Sequence, residues 1–163
     1  MNDVCPSGES YPTDTVLEQE NQVIAEAKNL LYARLQARGQ ILSSPQTVQD
    51  YLRLQLSEQQ REIFCGLFLN SQHQLIEYRE LFLGTIDSCS VYPREVAKAA
   101  LGLNAAAMIF AHNHPSGVPE PSAADRRITE QLKNALALLD VRVLDHFVVG
   151  DDAVISFAER GWI

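Results

Sequence analysis

The stretch from Phe110 to Asp125, F-A-H-N-H-P-S-G-V-P-E-P-S-A-A-D, constrains this chain more than any other. Two histidines stand one residue apart at the end of a small, apolar run, Ala105 to Ala111, which reads as a buried strand ending at His112. Residues i and i+2 of a strand share a face, so His112 and His114 can bind one ion. Pro115 keeps His114 extended, because a residue before proline is pushed out of the helical region. Gly117, Pro119 and Pro121 turn the chain. Ser122 then opens an amphipathic helix, and Asp125 falls in its first turn, where it can swing back towards the histidines. Ser-x-x-Asp before an apolar helix is also an ordinary capping signature. Each fragment alone has a structural explanation, and the spacing of the whole is what points to a site.

Two imidazoles and one carboxylate leave a tetrahedral Zn2+ one open position, the arrangement of catalytic rather than structural zinc. Water in that position would have its pKa lowered to about 7. Iron or manganese would tolerate the same residues. The chain has no H-E-x-x-H and so no thermolysin-like helix site, and it lacks the H-x-E and P-C-x-x-C pattern of zinc deaminases. A structural zinc would need a fourth protein ligand, for which His146 is the candidate. Closed sites use mainly Cys and His at short local spacings, so Asp145 or His146 is read instead as support for the fold or for the outer shell of the site.

A chain of 163 residues suits one domain with a substantial core. Its 46% hydrophobic and 21% charged residues are those of an ordinary globular protein. No apolar run approaches the roughly 20 residues of a membrane span, and the N-terminus lacks the basic and apolar regions of a signal peptide. The expectation is a cytoplasmic protein with no membrane partner. The net charge of −8 argues against a broad basic surface for DNA. Cys5, Cys65 and Cys89 form no C-x-x-C pair and read as free thiols, with Cys65 a small buried hydrophobe.

In order, residues 1 to about 14 are a polar tail. Thr15 to Glu18 is a T-x-x-E capping box, and Ile24, Ala27, Leu31 and Leu35 follow at helical spacing as far as Gly39. That helix is a packing or dimerisation element, the place for a homo-oligomer contact. Ser44 and Pro45 start a second helix that ends near Ser57. I-F-C-G-L-F-L, from Ile63, reads as a strand buried on both faces. A turn at Asn70 to His73, with His73 solvated, leads to a strand from Gln74 to about Ile86, in which Gly84 marks a bulge or bend. Pro93 opens a third helix with Val96, Ala99, Ala100 and Leu103 as its apolar stripe. Ile128, Leu132, Ala135, Leu136 and Leu139 define the helix from Ser122 to about Leu139. Strands from Val141 to Val149 and from Ala153 to Phe157 precede a final turn packed by Trp162. The order predicts an α/β domain with a mixed sheet covered by helices. The division expected is a tail and helix over residues 1–40 and one domain over 41–163.

H-N-H-P-S-G followed by P-S-x-x-D resembles the RadC family, and the spacing H-x-H-x7-S-x-x-D is that of the JAMM metalloprotease motif of MPN domains. V-Y-P-R-E-V, the run N-A-A-A before the metal strand, and L-D-H-F-V-V-G also resemble RadC proteins, so the similarity spans about Ser44 to Ile163. The chain is similar to the short form of the family found among mobile-element-associated bacterial genes, without the N-terminal helix-hairpin-helix region of longer members. The resemblance implies an MPN/JAMM-like, cytidine-deaminase-like fold with a short N-terminal helical extension.

It also implies roles. His112, His114 and Asp125 match the zinc ligands, and Ser122 matches the serine that helps stabilise the oxyanion. The catalytic glutamate of the family precedes an apolar strand, which matches Glu62, with Glu95 the competitor and Glu77 and Glu80 behind it. The implied activity is a zinc-dependent metallopeptidase or isopeptidase acting on a protein or peptide. The alternatives are a DNA repair or recombination accessory, the association of the RadC name, and a non-catalytic MPN scaffold.

Overall fold

The computed structural model describes residues 14–37, 45–85 and 89–163. Helix α1 (Asp14–Gln36) is followed by α2 (Pro45–Leu56), β1 (Ile63–Leu69), β2 (Leu75–Leu83), α3 (Pro93–Gly102), β3 (Ala107–Asn113), α4 (Ala123–Ala137), β4 (Arg142–Val149) and β5 (Val154–Ser156). This is the predicted order. The strands form one five-stranded sheet in the order β2-β1-β3-β4-β5. Only β3 and β4 run parallel, joined by α4; the other neighbours are antiparallel, so the sheet is mixed as expected.

Helices cover both faces, because β1 and β3 carry apolar side chains on both and every residue of each is buried. Val48, Tyr51, Leu52 and Leu56 of α2, with Leu35 of α1, pack on Cys65, Leu67, Ile109 and Ala111. On the other face Val96 and Ala100 of α3 and Leu132 and Leu136 of α4 meet Phe64, Phe68, Met108 and Phe110. Burying a side chain such as Leu or Phe contributes about 1.5–3 kcal/mol, so these two layers dominate the stability of the domain. Cys65 is fully buried, and burial pushes its thiol up to about 12, the reverse of an activated nucleophile.

Several expectations are corrected. Thr15 lies inside α1 rather than capping it. The register slips by one residue at Leu81 and again at Ile76, where β2 has a residue with no partner on β1, whereas Gly84 follows the strand and donates to the Glu62 carbonyl at 2.8 Å. His73 is not merely solvated: it takes the left-handed backbone of its turn, and its Nε2 stands 2.8 Å from the Arg142 guanidinium at the start of β4. Strand β3 continues through His112 and Asn113 instead of stopping at the first histidine. The tail, Gly39, Ser44, Ile86 and Cys5 lie outside the described residues. In α1, Leu35 is buried and Leu31 and Tyr32 touch the core, while Val16, Leu17, Val23 and Leu30 are exposed.

Candidate metal centre

The site forms where the carboxyl end of β3 meets the N-terminus of α4. His112 is the last inward-facing residue of β3 on the side covered by α3 and α4, stacked on Phe64 of β1 with ring centroids 6.2 Å apart. His114 follows the strand; its N–H donates to the Val149 carbonyl at 2.9 Å, holding it beside the end of β4. The intervening loop turns back through Gly117, whose φ of +79° is a conformation glycine adopts without strain.

Ser122 caps α4 in a reciprocal box: its Oγ accepts from the Asp125 N–H at 3.1 Å, and its own N–H donates to Asp125 Oδ2 at 2.7 Å. The capping signature and the metal-facing carboxylate are therefore the same residues. The box fixes Asp125 so that its carboxylate faces both rings, with Oδ1 3.4 Å from His112 Nε2 and Oδ2 3.5 Å from His114 Nε2. The two Nε2 atoms are 3.0 Å apart.

These three residues are the group that could hold a metal ion among the described residues. Ligands about 2.0–2.1 Å from a tetrahedral zinc stand about 3.3–3.4 Å from one another, and the separations of 3.0, 3.4 and 3.5 Å lie close to that spacing. His114 Nδ1 lies 2.8 Å from the Val118 carbonyl, which can only accept, so Nδ1 carries the proton and the lone pair of a neutral ring sits on Nε2, facing the cluster. The donor set thus fits a zinc ion.

The three cluster residues also act on one another electrostatically. Burial raises the Asp125 carboxyl, but the hydrogen bonds it accepts from His112 and His114 when those rings are protonated outweigh it and hold the group well below the usual carboxylate range. His114 is raised, chiefly by its hydrogen bond to Asp125; burial opposes this, and the charge of Glu62 adds to it. The His112 side chain is 1% exposed while those of His114 and Asp125 are 18% and 14% exposed, so solvent reaches the cluster from one side.

The position of Glu62 relative to the cluster is set by the sheet. Phe64 pairs with His112 across the antiparallel β1/β3 ladder, which sets Glu62, two residues earlier, level with His114. The Glu62 charge acts on His114 and adds to the burial that raises the Cys89 thiol. Its competitors are held elsewhere. Glu95 pairs with Lys98 on the surface at 3.1 Å. Glu77 pairs with Arg79 at 2.7 Å, level with Phe68 near the far end of β1. Glu80 is level with Cys65, on the face covered by α1 and α2.

Of the pair set aside as supporting residues, Asp145 is a structural clamp: it accepts from the His146 and Ala158 N–H groups at 2.7 and 2.9 Å and from the Ser156 hydroxyl at 2.6 Å. His146 is fully buried beneath the cluster, 2.9 Å from His112 Nδ1 on the side away from the three ligand atoms. Two residues escaped the sequence reading. Thr129 bonds both to His146 and to the Asp125 carbonyl, each at 2.6 Å. Its position one helical turn after Asp125 was the available signal. Asn113 bonds to the strand that follows Glu62, and nothing in the local sequence marks that contact.

Fold and site together define an α/β domain with a His-His-Asp cluster open on one side. A family model described as a RadC-like JAB domain matches residues 42–162. A UPF0758 protein of Vibrio cholerae is 58% identical over 144 residues, covering 88% of this chain and 90% of its own length. UPF0758 proteins of Cellvibrio japonicus and Leptothrix cholodnii are 57% and 59% identical over 89% and 87% of this chain, which spans only 64% of each of them. The chain belongs to the RadC-like JAB domain family.

Proposed function

We propose that this domain is a zinc-dependent metallohydrolase of the JAMM type that cleaves an amide bond in a protein or peptide. The observation that carries the reading is the convergence of His112, His114 and Asp125 at ligand spacing, with Glu62 level with the second histidine. When bound, zinc supplies Lewis acidity, making water acidic near neutral pH and polarising a carbonyl. His112 and His114 bind through Nε2, and Asp125 supplies the negative charge. Glu62 takes the proton from the attacking water and delivers it to the leaving amine. Ser122 Oγ accepts from the Asp125 N–H, which leaves its own proton free for the developing oxyanion.

Hydrolysis of a panel of peptide and isopeptide substrates by the zinc-loaded chain tests the reading, with Glu62→Gln as control. Turnover that falls by about 10^2 to 10^4 in the variant with zinc content unchanged is expected for a lost general base. Full turnover in the variant would end the role of Glu62, and a zinc-loaded chain that hydrolyses no member of the panel would count against an amide hydrolase.

A further inference from the structure

We infer that Thr129 and His146 form a proton relay that fixes the tautomer of His112 and so holds its Nε2 lone pair on the cluster. The inference rests on the metallohydrolase reading for its purpose, but its geometry is independent of any ion.

His114 needs no such device, because a carbonyl faces its Nδ1. His112 differs: its Nδ1 faces another imidazole nitrogen, His146 Nε2, at 2.9 Å. Either ring can donate in such a pair. If His146 donated, the His112 proton would lie on Nε2, and the ligand atom would be blocked.

Thr129 removes that ambiguity. Its Oγ1 stands 2.6 Å from the Asp125 carbonyl oxygen and 2.6 Å from His146 Nδ1. A carbonyl has no proton to give, and a hydroxyl has one, so Thr129 donates to Asp125 and must accept from His146. His146 therefore carries its proton on Nδ1. The ring is fully buried, its faces and edges against Phe64, Phe110 and Phe157. Its two ring nitrogens face Thr129 and His112, and in the neutral ring protonated on Nδ1 the Nε2 is bare. His112 Nδ1–H then donates to it, leaving His112 Nε2 unprotonated and facing His114 and Asp125.

The relay also has a mechanical consequence. It begins at the backbone of one cluster residue, Asp125 on α4, and ends on the ring of another, His112 on β3. Thr129 and His146 are positioning residues: they touch no reacting atom and act through His112.

Long-range 1H–15N correlation of the imidazole rings in the metal-free full-length chain, at mildly alkaline pH, reads the tautomers directly. Single neutral forms protonated on Nδ1 are expected at both His112 and His146; a predominantly Nε2-protonated His112 overturns the relay whether or not the protein binds zinc. Thr129→Val removes the hydroxyl at similar volume and Thr129→Ser keeps it. In Thr129→Val, His112 should become a tautomer mixture and zinc affinity, read by chelator competition, should fall about 10- to 100-fold. Thr129→Ser should restore both. A folded Thr129→Val chain with wild-type affinity and an unchanged His112 tautomer overturns the proposal. A wild-type chain that takes up no zinc counts against the metallohydrolase reading alone, because the ring spectra still decide the relay.

Discussion

Asn113, the residue between the two cluster histidines, accepts a hydrogen bond from the Ile63 N–H at 2.8 Å and donates to the Arg61 carbonyl at 3.0 Å. It therefore grips the chain on either side of Glu62, where β1 begins, and fixes that backbone relative to His112 and His114. Asn113→Leu leaves the buried Ile63 N–H without this partner, and an unfolding midpoint in urea should report a loss of about 1–3 kcal/mol. Turnover should fall further than zinc content, because the ligands stay while Glu62 shifts. An unchanged rate would show that Glu62 is positioned by other contacts.

Ser122 combines a helix cap with a hydroxyl near the cluster, and the two roles separate by substitution. Replacing such a cap by alanine costs about 0.5–2 kcal/mol, and by glycine only a few tenths. Ser122→Gly should thus remain nearly as stable as wild type yet lose turnover by about 10^2-fold or more, the size expected for a lost oxyanion donor. If glycine leaves the rate intact, Ser122 is a cap and nothing else.

Gly150 follows β4 where the metal-side loop crosses it. A Cβ there would run into the Gly117 carbonyl oxygen and lie 2.9 Å from Pro119 N. Both are backbone groups of the loop that carries Val118, the acceptor for His114. Gly150→Ala should destabilise the chain by about 1–3 kcal/mol and weaken zinc binding through displacement of His114. Calorimetry of the metal-free and zinc-loaded forms would show a smaller zinc-induced rise in Tm than in wild type; an equal rise would mean that the loop absorbs the added methyl without moving the ligand.

Burial holds His146 well below its ordinary pKa of 6.5. The unfolded chain takes up a proton at this ring below that pH and the folded chain does not, so the metal-free protein loses stability as pH falls through it, by up to about 1.4 kcal/mol per pH unit. His114 is raised and works in the opposite direction, adding stability below its unfolded pKa that is lost as pH rises through its folded one. Comparison with His146→Phe, in which His114 still titrates, isolates the first effect. Urea midpoints of wild type should fall relative to those of the variant between about pH 8 and 5.5; parallel curves would mean that His146 is protonated in the folded state.

The sequence alone located much of this molecule because its signals are local. Continuous apolar runs marked β1 and β3, Pro93 and Pro45 marked helix starts, and the i, i+2 pairing of His112 and His114 anticipated two ring nitrogens on one side of a strand end. Asp125 was legible because a capping box sets the first turn of a helix. The remainder depends on pairing between distant segments. The place of Glu62 just before an apolar strand set it ahead of Glu95, Glu77 and Glu80, but that it stands level with His114 depends on the β1/β3 register. His146 was noticed but its contact was not, since it meets His112 through the parallel β3/β4 ladder. Bulges at Leu81 and Ile76 left no mark, while Gly84 suggested one where the strand simply ends.

Metal content of gently purified protein, measured by mass spectrometry beside His112→Ala and Asp125→Ala, tests the central claim most directly. The cluster predicts about one zinc per chain in wild type, lost in both variants while each remains folded. A wild-type chain that carries no metal and takes none up on titration would contradict it.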